Sequence, residues 1–258
     1  MNIKVRLRKT FFTASTALLM LTGWLHAQIP TAEEILEKAT ELMNVTNSKS
    51  VMSQTIQTSS GQLRTFEMES FSANKGENTL IRYTAPVSVR GQAFLMLNNA
   101  NDIWTYFPRT GRVRKLASHA KKQNVQGSDF TYEDMGSGDT WREDYQSTNL
   151  GEAELLDEPC WKLQLDGIAE QEPAYHRMIV WVRQKDYYPL QIDYYDDGME
   201  VLKSLYLEDV RDIEGTPTAM LMTMCNHEDG TETRMETLAI TYSWEPPKAF
   251  FTERNLKK

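Results

Sequence analysis

Hydrophobic residues along this chain keep a helical spacing up to about residue 45 and a strand spacing after about residue 50. Ile35, Leu36, Ala39, Leu42 and Met43 fall on one helical face. They follow Thr31-Ala32-Glu33-Glu34, a capping box in which Thr and Glu each accept the other's backbone N–H. The pattern predicts an amphipathic helix with one side packed on a large apolar surface. Beyond it the period falls to two, as where Trp161, Leu163 and Leu165 alternate with Lys162, Gln164 and Asp166. Strands are predicted at 50–58, 63–73, 78–83, 91–97, 102–107, 161–166, 175–183, 190–195, 201–209, 219–226 and 231–243. Asp196-Asp197-Gly198 and Asp229-Gly230 are hairpin turns. Ten or eleven short strands joined by tight turns imply a mainly β, antiparallel meander that curls or closes. No repeat or low-complexity linker divides the chain, and the stretch from Gly136 to Thr140 reads as a loop.

The first 27 residues stand apart. Lys4, Arg6, Arg8 and Lys9 precede an apolar run from Thr10 to Leu25, and Ala27 offers a small residue for cleavage. This is the layout of a secretory signal peptide, leaving one domain over residues 28–258. Leu25 is not the small residue preferred three positions from the cut, which leaves an uncleaved anchor open. Setting those four positive charges aside moves the net charge from −8 to −12. A surface so acidic argues against nucleic acid as a partner. In an exported chain Cys160 and Cys225 could pair, or could be two small buried side chains.

Candidate chemistry is sparse. His119, His176 and His227 are more than fifty residues apart, with no metal-ligand spacing around them. No nucleophile elbow, phosphate loop or Cys-x-x-Cys motif occurs, so no metal or cofactor is expected. Met220, Met222 and Met224 share one face of a strand, in line with Met235 on the next. Methionine adapts to irregular apolar shapes, so the stripe is core filling or a surface for acyl chains. Arg109, Arg112 and Arg114 form a basic hairpin turn behind Trp104, Tyr106 and Phe107. It is a solvated turn or a docking point for anionic headgroups or an acidic partner. The string Asn124-Val125-Gln126-Gly127-Ser128-Asp129-Phe130-Thr131-Tyr132-Glu133-Asp134-Met135 carries three carboxylates. Asp129 and Glu133 have the i,i+4 spacing of an acid–base pair, as an exported hydrolase would need. The structural alternative makes Ser128 or Asp129 the cap of a short helix starting at Phe130, with Phe130 and Tyr132 plugging the interior.

Four segments occur in an order that resembles a known family. They are Arg90-Gly91-Gln92-Ala93-Phe94-Leu95-Met96, Asp102-Ile103-Trp104-Thr105-Tyr106-Phe107-Pro108, Arg112-Val113-Arg114-Lys115 and Gly127-Ser128-Asp129-Phe130-Thr131-Tyr132-Glu133-Asp134-Met135. Together with the closing Trp244-Glu245-Pro246-Pro247-Lys248-Ala249-Phe250-Phe251, they resemble outer membrane lipoprotein-sorting proteins, relatives of the LolA and LolB carriers. The resemblance implies a strongly curled antiparallel sheet, a half-open β-barrel, with helices lidding its concave face. It also implies a periplasmic, non-enzymatic carrier for lipid or lipoprotein acyl chains, with an RND-type inner-membrane transporter as a partner or as the complex it serves as an accessory module. Trp104, Tyr106, Met220, Met222 and Met224 are then the expected cavity lining, and Arg109, Arg112 and Arg114 the expected headgroup or partner contacts.

Overall fold

The computed structural model of the protein describes residues 29–43, 45–136 and 140–258; the expected signal peptide at 1–27 lies outside them. The first helix forms as α1, Ala32–Met43. Its capping box closes, with Thr31 N–H donating to Glu34 Oε2 at 2.8 Å and Glu34 N–H to Thr31 Oγ1 at 3.2 Å. Ile35, Leu36 and Ala39 are buried, while Leu42 and Met43 at the last turn are only partly covered.

The strands are β1 (Asn47–Gln57), β2 (Leu63–Ala73), β3 (Asn78–Ala85), β4 (Ala93–Leu97), β5 (Asp102–Phe107), β6 (Arg112–Lys115), β7 (Tyr145–Leu155), β8 (Glu158–Gly167), β9 (Arg177–Arg183), β10 (Pro189–Tyr195), β11 (Val201–Ile213), β12 (Thr216–Asn226) and β13 (Thr231–Thr241). They make one thirteen-stranded sheet in the order β6-β5-β4-β3-β2-β1-β13-β12-β11-β10-β9-β8-β7, antiparallel at every pairing. β6 and β7 pair with one neighbour each, so the sheet is open and closure is excluded. These two edge strands are the ones that the hydropathy pattern does not predict. β6 holds two Arg and one Lys in four residues, and β7 is mostly polar with a register break between Asn149 and Glu152. Charge and irregularity suit an edge, which must resist pairing with other chains, and they also erase the apolar alternation.

Residues 116–144 carry the chain from β6 at one edge to β7 at the other. This strap contains α2 (Tyr132–Gly136) and α3 (Trp141–Asp144). Strap and α1 share one face of the sheet. Val125, Phe130 and Tyr132 of the strap join Ile35 and Leu36 of α1 in a single core with residues from twelve of the strands. The burial of Phe130 and Tyr132 agrees with the sequence, but the helix starts two residues later than expected. Its cap is Thr131, not Ser128 or Asp129. Thr131 N–H donates to Asp134 Oδ2 at 2.8 Å and Asp134 N–H to Thr131 Oγ1 at 3.1 Å, a second capping box.

Among the described residues, the other face carries an apolar cover around β2–β6. There Phe71, Leu80, Ala93 and Leu95 are buried under the C-terminal segment, with Trp244, Phe250, Phe251 and Leu256 above them. The Phe71 ring lies 5.4 Å from Trp244 and 4.9 Å from Phe250, and Arg82 Nη2 donates to Asn255 O at 2.8 Å. With cover on both sides, β4 is buried at four of its five positions. Cys160 on β8 and Cys225 on β12 are both free thiols. Three strands separate them, about 19 Å at sheet spacing, beyond the reach of a disulfide.

If the tail is an integral cover, Leu256→Ala, at a fully buried position, costs about 2–5 kcal/mol. Urea unfolding measures this, and a loss below about 1 kcal/mol would show the tail to be dispensable.

Candidate functional site

The strap is pinned near the middle of the sheet by Asp129. Thr231 and Thr233, on one face of β13, donate their hydroxyls to Asp129 Oδ1 and Oδ2, the latter at 2.6 Å. Asp129 N–H returns a bond to Thr233 Oγ1 at 2.9 Å. Gly127 just before it has φ +71, and Arg64 of β2 donates to its carbonyl at 3.3 Å. Both Asp129 oxygens are thus occupied in holding the strap, and Glu133 forms its ion pair with Lys121 at 3.3 Å. The two carboxylates are engaged with different elements, as the structural reading of this string requires. Their burial is a strap feature.

The second pin was not foreseen. Lys203 of β11 is 4% exposed, and its Nζ meets Asp134 Oδ2 at 2.7 Å and Asp129 O at 3.2 Å. The ammonium lies 5.0 Å and 5.4 Å from the ring centres of Tyr175 and Tyr194. Tyr175 Oη donates to Asp134 Oδ1 at 2.7 Å, so both oxygens of that carboxylate are used. A charged pair taken out of water is tolerated when its remaining hydrogen-bonding positions are filled, as here. Burial holds the Tyr175 and Tyr194 hydroxyls well above the ordinary phenol range, so both stay protonated. Burial also raises the Glu133 carboxyl above its ordinary value, against the opposing pull of Lys121.

Beside these pins an open cleft of about 430 Å³ lies between the inner face, α1 and the strap. One wall is apolar, from Met178, Ile192, Leu205, Leu207, Met222 and Ile240. Its floor is small and hydroxylated, from Ser48 of β1, Ser70 and Ser72 of β2 and Thr79 of β3. Ser48 pairs with Ser72 and Ser50 with Ser70, so four serines form a square on the inner face. One step along the same strands, Met52 pairs with Met68 and Gln54 with Phe66, filling the space that the serines leave empty. Acidic groups and aromatic hydroxyls gather at one end, where Glu133, Asp134, Tyr145 and Tyr175 line the cleft.

The structure divides the expected lining residues among three places. Trp104 and Tyr106 pack on the opposite face, under the C-terminal segment. Their alternation with buried Ile103 and Thr105 turns them away from the cleft. Met222 lines the cleft, Met224 is fully buried in the core, and Met220 lines a groove on the outer face. Arg109, Arg112 and Arg114 are exposed at the β5–β6 hairpin, and none has an ion pair among the described residues. The serine square escaped sequence reasoning, although two serines alternating on each of two successive strands were visible. Lys203 had no local signal, since its partner lies 69 residues away.

A family model whose description reads only "uncharacterized protein" matches residues 75–258. No curated protein sequence matches the chain. Among solved structures, the chain is similar to an outer membrane lipoprotein-sorting protein domain from Vibrio parahaemolyticus, with 26% identity, a TM-score of 0.79, and coverage of 88% of this chain and 100% of that one. A DUF1329 family protein from Desulfovibrio piger has 23% identity and a TM-score of 0.79, with 87% and 98% coverage. A LolA superfamily protein from Nitrosomonas europaea has 23% identity and a TM-score of 0.73, with 88% and 100% coverage.

Removing one partner of the buried pair should strand the other. Lys203→Met is expected to cost about 3–5 kcal/mol in urea unfolding, with part of that loss recovered in Lys203→Met/Asp134→Asn. Strictly additive losses would show that the pair is not coupled. For Glu133 the raised value means that the folded chain binds this proton more tightly than the unfolded chain. Stability is therefore lost as pH climbs from the ordinary carboxylate range through the raised value. Glu133→Gln should gain melting temperature relative to the native chain between about pH 4 and pH 8; a pH-independent difference would contradict this.

Proposed function

The chain belongs to the family described by that model and has the fold of the LolA superfamily, and on this premise we propose that it is an exported, non-catalytic carrier. Its ligand is an amphiphile, a lipid or the acyl chain of a lipoprotein, held in the cleft. The observation that carries this reading is the cleft's construction: an apolar wall from five strands facing a floor kept low by serines. A volume of about 430 Å³ falls among those of clefts that enclose small ligands, about 300–1,000 Å³. Each buried CH₂ contributes about 0.8 kcal/mol, so about ten of them supply about 8 kcal/mol before the ordering of ligand and lid is subtracted.

In this reading residues 1–27 direct export to the periplasm and are removed, and the sheet curls as a half-open barrel around the ligand. The C-terminal turn of α1, where Met43 lines the cleft, acts as part of the lid. Arg109, Arg112 and Arg114 are the contacts for an anionic headgroup or for a partner, with an RND-type inner-membrane transporter as the candidate. The hydrolase reading loses its ground because the oxygens of Asp129 are held by two threonines.

Native mass spectrometry of protein purified from periplasm should show a bound lipid, and the delipidated chain should bind a fluorescent fatty acid. Ser70→Trp and the milder Ser72→Leu fill the floor and should weaken that binding at least tenfold, about 1.4 kcal/mol, with far-UV circular dichroism unchanged. A native chain that carries no lipid and binds no fatty acid would sink the carrier reading.

A further inference from the structure

The sheet has a break in its middle. β12 and β13 pair only from Leu221↔Glu236 to Asn226↔Thr231. Past that point both strands continue, each held from its other side. β12 stays on β11 from Ala219↔Val210 to Thr216↔Ile213, and β13 stays on β1 from Ala239↔Val51 to Thr241↔Lys49. At the same place β13 bulges. Val51 faces Ala239 and Met52 faces Thr237, so Leu238 has no partner on β1 and is 52% exposed.

Side chains replace the missing ladder. Ala219 N–H, a donor in mid-strand, gives its hydrogen bond to Tyr188 Oη at 3.0 Å. The hydroxyls of Thr218 and Tyr242 meet at 2.7 Å across the gap. Glu214, at the β11–β12 turn, accepts from Thr241 Oγ1 at 2.7 Å and from the N–H groups of Tyr242 and Ser243 at 3.1 and 2.9 Å. Buried backbone donors must be satisfied for the sheet to survive a break. Hydroxyls and a carboxylate do this with side-chain rotations alone, whereas a backbone ladder opens only by separating strands.

Both faces are hollow at this break. Inside, the cleft reaches Met222, Ile240 and Tyr242. Outside, a groove of about 690 Å³ is lined by Met220, Leu221, Thr237 and Leu238. Strand alternation would turn Met220 inward with Met222, yet it lines the outer groove, which places it at the opening. Arg211, Arg234, Asp209, Glu232 and Glu236 surround that groove with charges of both signs.

We propose that the break is a side port, closed by Tyr188 and Tyr242, through which one apolar chain lies across the sheet with its tail in the cleft and its polar end in the outer groove. The ligand is then a single-chain amphiphile whose polar head, such as a fatty-acid carboxylate, lies among Arg211, Arg234 and the acidic side chains of the outer groove. The proposal rests on the carrier reading and adds a position and a route to it.

The test uses stearic acid carrying a nitroxide near its carboxylate or near its terminal methyl. A fluorophore is attached at Leu238→Cys in a chain whose half-buried thiol is removed by Cys225→Ser. The nitroxide near the carboxylate should quench it several-fold more than the one near the methyl. In stopped-flow release of a fluorescent fatty acid, Met220→Trp should slow exit several-fold by plugging the port. Tyr242→Phe/Glu214→Gln should hasten exit by the same order. Equal or absent quenching, or unchanged release in these variants, with the native affinity intact, overturns the port and leaves the carrier standing. A native chain that binds no stearic acid overturns both, so the two failures are told apart by the native arm.

Discussion

Everything on the inner face of this sheet depends on one connection, the strap that runs from β6 at one edge to β7 at the other. The described residues of this segment, 116–136 and 140–144, have few backbone partners in the sheet. It is held by what its side chains find beneath it. Asp129 binds two threonines of β13, and Asp134 binds Lys203 of β11 and Tyr175. β13 and β11 flank β12 near the middle of the sheet, so the strap is fastened at its centre as well as at its covalent ends. A buried ion pair contributes little net stability against an apolar equivalent, but it resists losing either member. That asymmetry suits a clamp whose role is to fix position.

With the strap fixed, the space beneath it is set by side-chain size. Close packing would normally remove a void of this kind. Here Ser48, Ser70 and Ser72 leave it open on β1 and β2, while methionine and phenylalanine fill the next rung. Polar hydroxyls on the floor also make the space tolerable when water occupies it. The wall is adaptable as well, since Met43, Met135, Met178 and Met222 reach it from four different elements. The methionine surface that matters is therefore assembled from across the fold, and the stripe on β12 contributes one member.

The outer face follows the opposite logic. Over β2–β6 it is filled by an aromatic cluster and sealed by the C-terminal segment, which makes that half of the sheet a packed frame. Toward β12 and β13 the same face is polar, grooved and interrupted. Packed and interrupted parts are thus separated along the sheet, and the cleft spans both, with its floor on β1–β3 and its apolar wall on β9–β13.

The sequence by itself determined whatever depends on near neighbours along the chain. Helical spacing and a capping box specify α1, and alternation with turn residues specifies eleven of the strands. Phe130 and Tyr132 were legible as buried because a polar string with two aromatics has few other uses for them. Edge strands β6 and β7 were not legible, because the charges that protect an edge remove the pattern that marks a strand. Which face of β5 meets the cleft was also open. Alternation defines two faces, and only the neighbouring strands and the C-terminal cover decide that Trp104 and Tyr106 lie outside. The pairing of Lys203 with Asp134, the square of serines and the break between β12 and β13 were decided by tertiary structure. Each is a relation between residues on separate elements, and such relations exist only once the register of the whole sheet is set.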